Sequence, residues 1–270
     1  MKKQFFILLA ITPIATASLV LPTASLAPSE QPSKIHADAS FFFPVPVSSS
    51  PKILEEPSSV EENKSCSLKP FDSLSSEEEK VLQQATEFIP CSLLASLQSI
   101  ISFDDIDRPR AMASATRLYL RSDLFHLPER KEVIIHELGH VVDLGGLRGS
   151  SGSEISSFRD GTLPVFADDL SVRFYEISWK SEREQTSETL PEDFVTGYAA
   201  TDPFEDFSES FLFYLEQGNA FRAYAKKNGA IRQKYNFFQK EIFDDVEFMT
   251  GGTPTDFSSR EWDATKVDFS

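Results

Sequence analysis

From Ser76 onward the apolar residues recur mainly three and four apart, interrupted by one short alternating stretch. That pattern predicts a mostly helical α+β domain with a small sheet. Ser76 with Glu79 reads as a capping box opening a helix through about Phe88, stopped by Pro90. Leu93, Leu94, Leu97 and Ile100 share helical spacing and predict a second short helix, Ser92 to Ile101. Ser114 to Arg121 alternates, with Leu118 and Leu120 on one face, and predicts a strand. A helix follows: Pro128 suits its first position, Ile134, Leu138 and Val141 form its apolar stripe, and Gly145-Gly146 ends it.

Residues 148–196 are rich in Gly, Ser and charge, with aromatic islands at Phe166, Phe174-Tyr175 and Trp179. They read as a long, partly ordered excursion. Asp202-Pro203-Phe204-Glu205 is a helix start, with Asp as N-cap and Pro at N1. In that helix Phe204, Phe207 and Phe211 share a buried face, and Glu205, Glu209 and Leu212 share another. Helical runs from Ala220 to Lys227 and from Ala230 to about Phe248 close a domain spanning 66–250. Gly251-Gly252 begins a tail, 251–270, that reads as flexible.

The region before the domain has no such period. Lys2 and Lys3, the apolar run Phe5 to Ile11 and the small residues after it read as a secretory leader over residues 1–27. Ala17 and Ala27 are alternative cleavage points, and an uncleaved anchor is the competing interpretation. The short Lys-led leader points to a bacterial protein exported to the periplasm or medium. Residues 28–65, rich in Pro and Ser, read as a disordered linker or pro-segment. Export would permit one disulfide between the only cysteines, Cys66 and Cys91, worth roughly 3 kcal/mol for a loop of that size. With 42 acidic against 26 basic residues the net charge is −16, a surface that repels nucleic acid and anionic membranes.

Chemistry concentrates at His136-Glu137-Leu138-Gly139-His140, which holds two of the four histidines in the chain. Imidazoles four residues apart project from one helix face, the spacing at which both can bind one Zn²⁺. The Glu after the first His sits beside the metal without ligating it, placed to take a proton from metal-activated water. Gly139 costs a helix about 1 kcal/mol against Ala, and close approach of another backbone is one reason for it.

Two histidines leave a catalytic zinc one protein ligand short. Asp143 lies two turns beyond His136, about 10 Å along the axis, so a straight helix cannot bring it to the same ion. It is better cast as an acceptor orienting a histidine N–H. A ligand from a second helix is required, and the acidic stretch Tyr198 to Glu209 is the obvious source.

His136-Glu-Leu-Gly-His-Val-Val-Asp143, followed by Tyr198, Thr201-Asp202 and Glu205-Asp-Phe-Ser-Glu-Ser-Phe211, resembles the gluzincin zinc metallopeptidases, among them the catalytic domain of anthrax lethal factor. The resemblance covers about 80 residues. It implies a zincin-like fold with the small sheet next to the motif helix, one Zn²⁺, Glu205 as third ligand, Tyr198 near the metal-bound oxygen, and Glu209 supporting a ligand. Ser208 stands where Ala is usual in that pattern, Asp206 adds an acid beside the ligand, and the excursion before Glu205 is longer. As an alternative, Glu205 at N3 would serve as a capping-box glutamate without any metal.

The function these residues imply is a secreted zinc endopeptidase acting on peptide or protein substrates, with Glu137 as general base. The competing class is a zinc-stabilised binding protein with a vestigial site. Hydrolysis of a non-protein amide, such as cell-wall peptide, is a third reading.

Overall fold

A computed structural model describes residues 52–54, 74–257 and 259–267, all within one compact unit, Ser49–Ser270. The expected leader, most of the 28–65 segment and Cys66 lie outside the described residues. Cys91 is disulfide-bonded. Among the described residues no helix is long and apolar enough to cross a membrane.

The architecture is α+β, with six α-helices and small sheets among the described residues. Strand β1, Lys52–Leu54, is followed by helix α1, Ser76–Thr86. The α1 cap falls one residue earlier than the sequence suggests: Glu78 N donates to Ser75 Oγ, and Ser75 N donates back to Glu78 Oε2 at 2.7 Å. The expected helix from Ser92 to Ile101 does not form. A single 3₁₀ turn, Cys91–Leu94, gives way to strand β2, Ser99–Phe103. Leu97 lies just beyond that turn, its N–H donating to the Leu94 carbonyl at 3.0 Å, whereas Ile100 and Ile101 alternate between the core and the surface as strand residues do.

Strands β3, Ala111–Ser114, and β4, Arg117–Arg121, complete a sheet in the order β2-β4-β3, with β2 parallel and β3 antiparallel to β4. The alternation in the sequence therefore belongs to the central strand, whose Leu118 and Leu120 are fully buried.

Against this sheet lies helix α2, Arg130–Val141, which carries both motif histidines and runs into a π turn, Val142–Gly146. Gly145 fits there because a Cβ would stand 2.2 Å from the Ala115 carbonyl oxygen. The excursion that follows is folded. It contains a hairpin of β5, Ile155–Asp160, and β6, Leu163–Phe166, then helix α3, Leu170–Tyr175, then a second hairpin of β7, Trp179–Ser181, and β8, Glu184–Gln185. Its aromatic islands explain the order, since Phe174, Tyr175 and Trp179 are core residues.

Helix α4, Pro203–Glu216, starts on the predicted cap: Asp202 Oδ1 accepts from Phe204 N and Glu205 N, both at 2.9 Å. Its Phe207 and Phe211 enter an aromatic core with Phe174 and Phe238, ring centroids 5.2–6.1 Å apart. Helices α5, Gly218–Ala225, and α6, Gly229–Phe237, follow. The long final helical run is cut short. A π turn, Phe238–Ile242, leads through Asp244 and Asp245, both at positive φ, into strand β9, Val246–Phe248. Strand β9 pairs in parallel with β1, so Lys52–Leu54, inside the segment read as disordered linker, is a strand.

The tail is also a correction. Residues 251–257 and 259–267 are packed against the domain, with Gly197 N and Tyr198 N donating to the carbonyls of Glu261 and Trp262 at 2.9 and 2.6 Å. Gly251-Gly252 suggested looseness, but backbone hydrogen bonds further along the tail are invisible in that signal.

Candidate metal centre

Helices α2 and α4 pack antiparallel. Lys131 at the start of α2 pairs with Glu216 at the end of α4 at 2.8 Å, while the motif histidines meet Glu205 at the other end. The crossing is tight at Gly139, where a Cβ would lie 3.0 Å from the Ser208 Cα and 3.1 Å from its Oγ. This is the close approach that a helical Gly beside the ligands suggested. It also gives Ser208 a role, because position 208 must be small.

At this crossing three ligand atoms converge. Glu205 Oε2 lies 3.1 Å from His136 Nε2 and 3.4 Å from His140 Nε2. A tetrahedral zinc with bonds near 2.0–2.1 Å separates its ligands by about 3.3 Å, so the spacing fits one ion. All three atoms lie within 4.8 Å of one another, and His136, His140 and Glu205 form a cluster that can hold a metal ion. Glu205 Oε2 is buried and makes no other hydrogen bond among the described residues, as an atom meant for a cation would be. The Glu205 side chain does not fold back to cap its own helix; its second oxygen accepts from the Tyr198 hydroxyl at 3.0 Å.

Electrostatics fit the same assignment. Burial works against a charged His136, but its contacts with Glu205 and Glu209 outweigh it and hold the imidazole pKa well above the usual range. His140 is likewise raised, burial being overcome chiefly by Glu205. Glu205 is the mirror image: burial opposes its charge, yet the two imidazoles hold its pKa far below the ordinary carboxylate value. In the metal-free centre the two imidazoles and the carboxylate favour one another's charged forms, and a metal would take the place of the protons.

Around this set, the predicted residues divide. Glu209 is fully buried, with Oε1 2.9 Å from His136 Nδ1. Its Oε2 accepts from Thr196 Oγ1 at 2.6 Å and from Ala264 N at 2.7 Å. The ring of Tyr198 stacks near that of His136, centroids 6.0 Å apart, and burial pushes its hydroxyl pKa up. Asp143 is elsewhere. Its Oδ1 accepts from Tyr175 Oη at 2.5 Å rather than from a histidine, and burial raises its pKa to about 8. Its place is at the foot of the motif helix, away from the ligand nitrogens.

Asp206, next to Glu205 in sequence, points the other way. It forms a fully buried ion pair with Lys234 at 2.7 Å and accepts from Trp179 Nε1 at 3.0 Å. Lys234 also donates to the Asp193 carbonyl and lies 4.2 Å from the centre of the Phe194 ring.

A cavity of ≈ 210 Å³ opens beside the cluster. Val133, His136, Glu137 and Tyr198 line one side; Pro109 to Ala111, at the start of edge strand β3, and Asp263 with Thr265 line the rest. Of the sheet, only Ala111, the first residue of β3, reaches this cavity. Glu137 faces this space half-buried. Desolvation raises its pKa, the two histidines lower it, and Glu205 raises it further, with a net upward shift.

Sequence reasoning missed Thr196, Ala264, Tyr175 and Lys234. Ala264 acts through its backbone N–H, which no side-chain pattern can reveal. No family model matches the chain, and neither the curated proteins nor the solved structures contain a match to it.

Proposed function

We propose that the protein is an exported zinc-dependent endopeptidase that hydrolyses peptide bonds with Glu137 as general base. The observation carrying this reading is the juxtaposition of a carboxylate of raised pKa, facing an open cavity, with a His₂Glu ligand set whose spacing suits a tetrahedral ion. A structural metal site has no use for such a base, whereas hydrolysis requires one.

His136, His140 and Glu205 would hold the ion. When bound, it supplies a Lewis acid and brings the pKa of a coordinated water toward 7. Glu137 does the proton work. With a pKa above the normal carboxylate range it accepts a proton from the attacking water and delivers it to the leaving amine. Tyr198 keeps its proton at neutral pH and supplies an O–H donor at the site for a developing oxyanion. Edge strand β3, which reaches the cavity at Ala111, offers main-chain groups with which an extended peptide can pair.

The test is Glu137→Ala with metal content measured in parallel. A peptide library should be cleaved by the wild type and left intact by the variant, with zinc stoichiometry unchanged at one per chain. Equal cleavage by both would remove Glu137 and this mechanism. Zinc binding without any cleavage by the wild type would favour the binding-protein alternative.

A further inference from the structure

We propose that the C-terminal strap, Glu261–Lys266, is a working part of the metal centre: the Ala264 N–H positions Glu209 against His136, coupling strap docking to metal binding. The inference rests on the metal-binding reading of the His136–His140–Glu205 cluster and not on peptidase chemistry.

Glu209 is fully buried, and one of its oxygens faces His136 Nδ1 at 2.9 Å. Holding that imidazole with its Nε2 lone pair toward the ion requires the carboxylate to stay charged and oriented. Two donors do this, both on the other oxygen: Thr196 Oγ1 at 2.6 Å and Ala264 N at 2.7 Å. Thr196 Oγ1 is committed on its acceptor side too, receiving Ala199 N at 3.1 Å. Ala264 comes from 55 residues further along the chain and is itself 3 % exposed. Without it, that oxygen of the buried carboxylate keeps a single donor, and bonds to such groups are among the stronger ones in a protein.

The same strap fixes the backbone of a second site residue, since Tyr198 N donates to the Trp262 carbonyl at 2.6 Å. Its other contacts are near the surface: Gly197 N donates to the carbonyl of exposed Glu261 at 2.9 Å, Trp262 is largely exposed, and half-exposed Lys266 bonds Glu129. A segment held this way opens more readily than the helices it touches. If docking favours the metal-binding arrangement of His136, metal binding must favour docking by the same factor.

Ala264→Pro removes the N–H in the full-length chain and sets the ring Cδ against Glu209 Oε2, so the carboxylate loses this donor and is displaced from it. Ala264 is the first residue of a 3₁₀ turn, where Pro is tolerated, and Asp263 before it has φ −140° and ψ 128°, a conformation compatible with a following Pro. Zinc affinity, measured by competition with a chromogenic chelator, should fall by about 10–100-fold. In the unaltered protein, zinc should slow hydrogen exchange of the Ala264 amide by about tenfold or more. Wild-type affinity in the folded variant overturns the proposal, and so does an Ala264 amide indifferent to zinc. The exchange measurement decides by itself should the variant not fold. Failure of the wild-type chain to bind zinc removes the metal centre altogether, which is a different result from equal binding by both proteins.

Discussion

Asp143 shows how burial can set the behaviour of a carboxyl group at the foot of the motif helix. Its carboxyl sits under the motif helix against Tyr175, with a pKa raised from the ordinary value of 3.8 to about 8. The folded form therefore holds a proton that the unfolded chain releases. For an acid shifted upward the sign is clear: the group costs nothing below pH 3.8, and stability declines as pH rises from there to about 8. The slope is roughly 1.4 kcal/mol per pH unit for one such proton. Asp143→Asn keeps the acceptor for Tyr175 and does not titrate. Melting temperatures between pH 4 and 8 should fall more steeply for the wild type than for the variant. Parallel curves would mean that Asp143 is ionised in the folded state.

At the scale of elements, the centre depends on how closely α2 and α4 cross. Gly139→Ala gains about 1 kcal/mol of helix propensity but places a methyl 3.0 Å from the Ser208 Cα, where backbone must move. Overpacking of this kind costs about 1–3 kcal/mol, so urea unfolding should show a net loss; a stabilised variant would show that the helices can separate at no cost. The same displacement draws Glu205 from the histidines, and zinc affinity should drop with it. On the far side of α4, Lys234→Met leaves Asp206 buried without its cation, a loss of about 3–5 kcal/mol. Replacing both Asp206 and Lys234 by apolar residues should recover most of that, and a double variant as unstable as the single one would contradict it. The helices behind these effects were legible in the sequence because their signals are local: the Asp202 cap, the histidine spacing, the Phe stripe of α4. The partners were not. Lys234 looks like any surface lysine, and only the folded chain places it at Asp206, 28 residues back. Strand β2 was misread for a related reason, since Leu93, Leu94, Leu97 and Ile100 fit a helical spacing that pairing with β4 overrides.

For the molecule as a whole, the ion would link fold stability to pH. A ligand that binds only the folded chain stabilises it by about 4 kcal/mol at a thousand times its dissociation constant. In a domain of about 200 residues that corresponds to a rise of roughly 8–16 °C in melting temperature. The increment must depend on pH, because the pKa values of His136 and His140 are raised in the metal-free protein and both imidazoles must be neutral to ligate. Where both carry protons, zinc affinity should climb about a hundredfold per pH unit, flattening only above the raised histidine range. Glu205 opposes this little, since its pKa lies far below that window. Calorimetric scans at fixed free zinc should therefore show a stabilisation that grows from pH 5.5 to 8, with proton release on titration. Glu205→Ala should lose most of the increment at every pH. A zinc-induced shift that is the same at pH 5.5 and 8 would mean that the ion is not held by these two imidazoles.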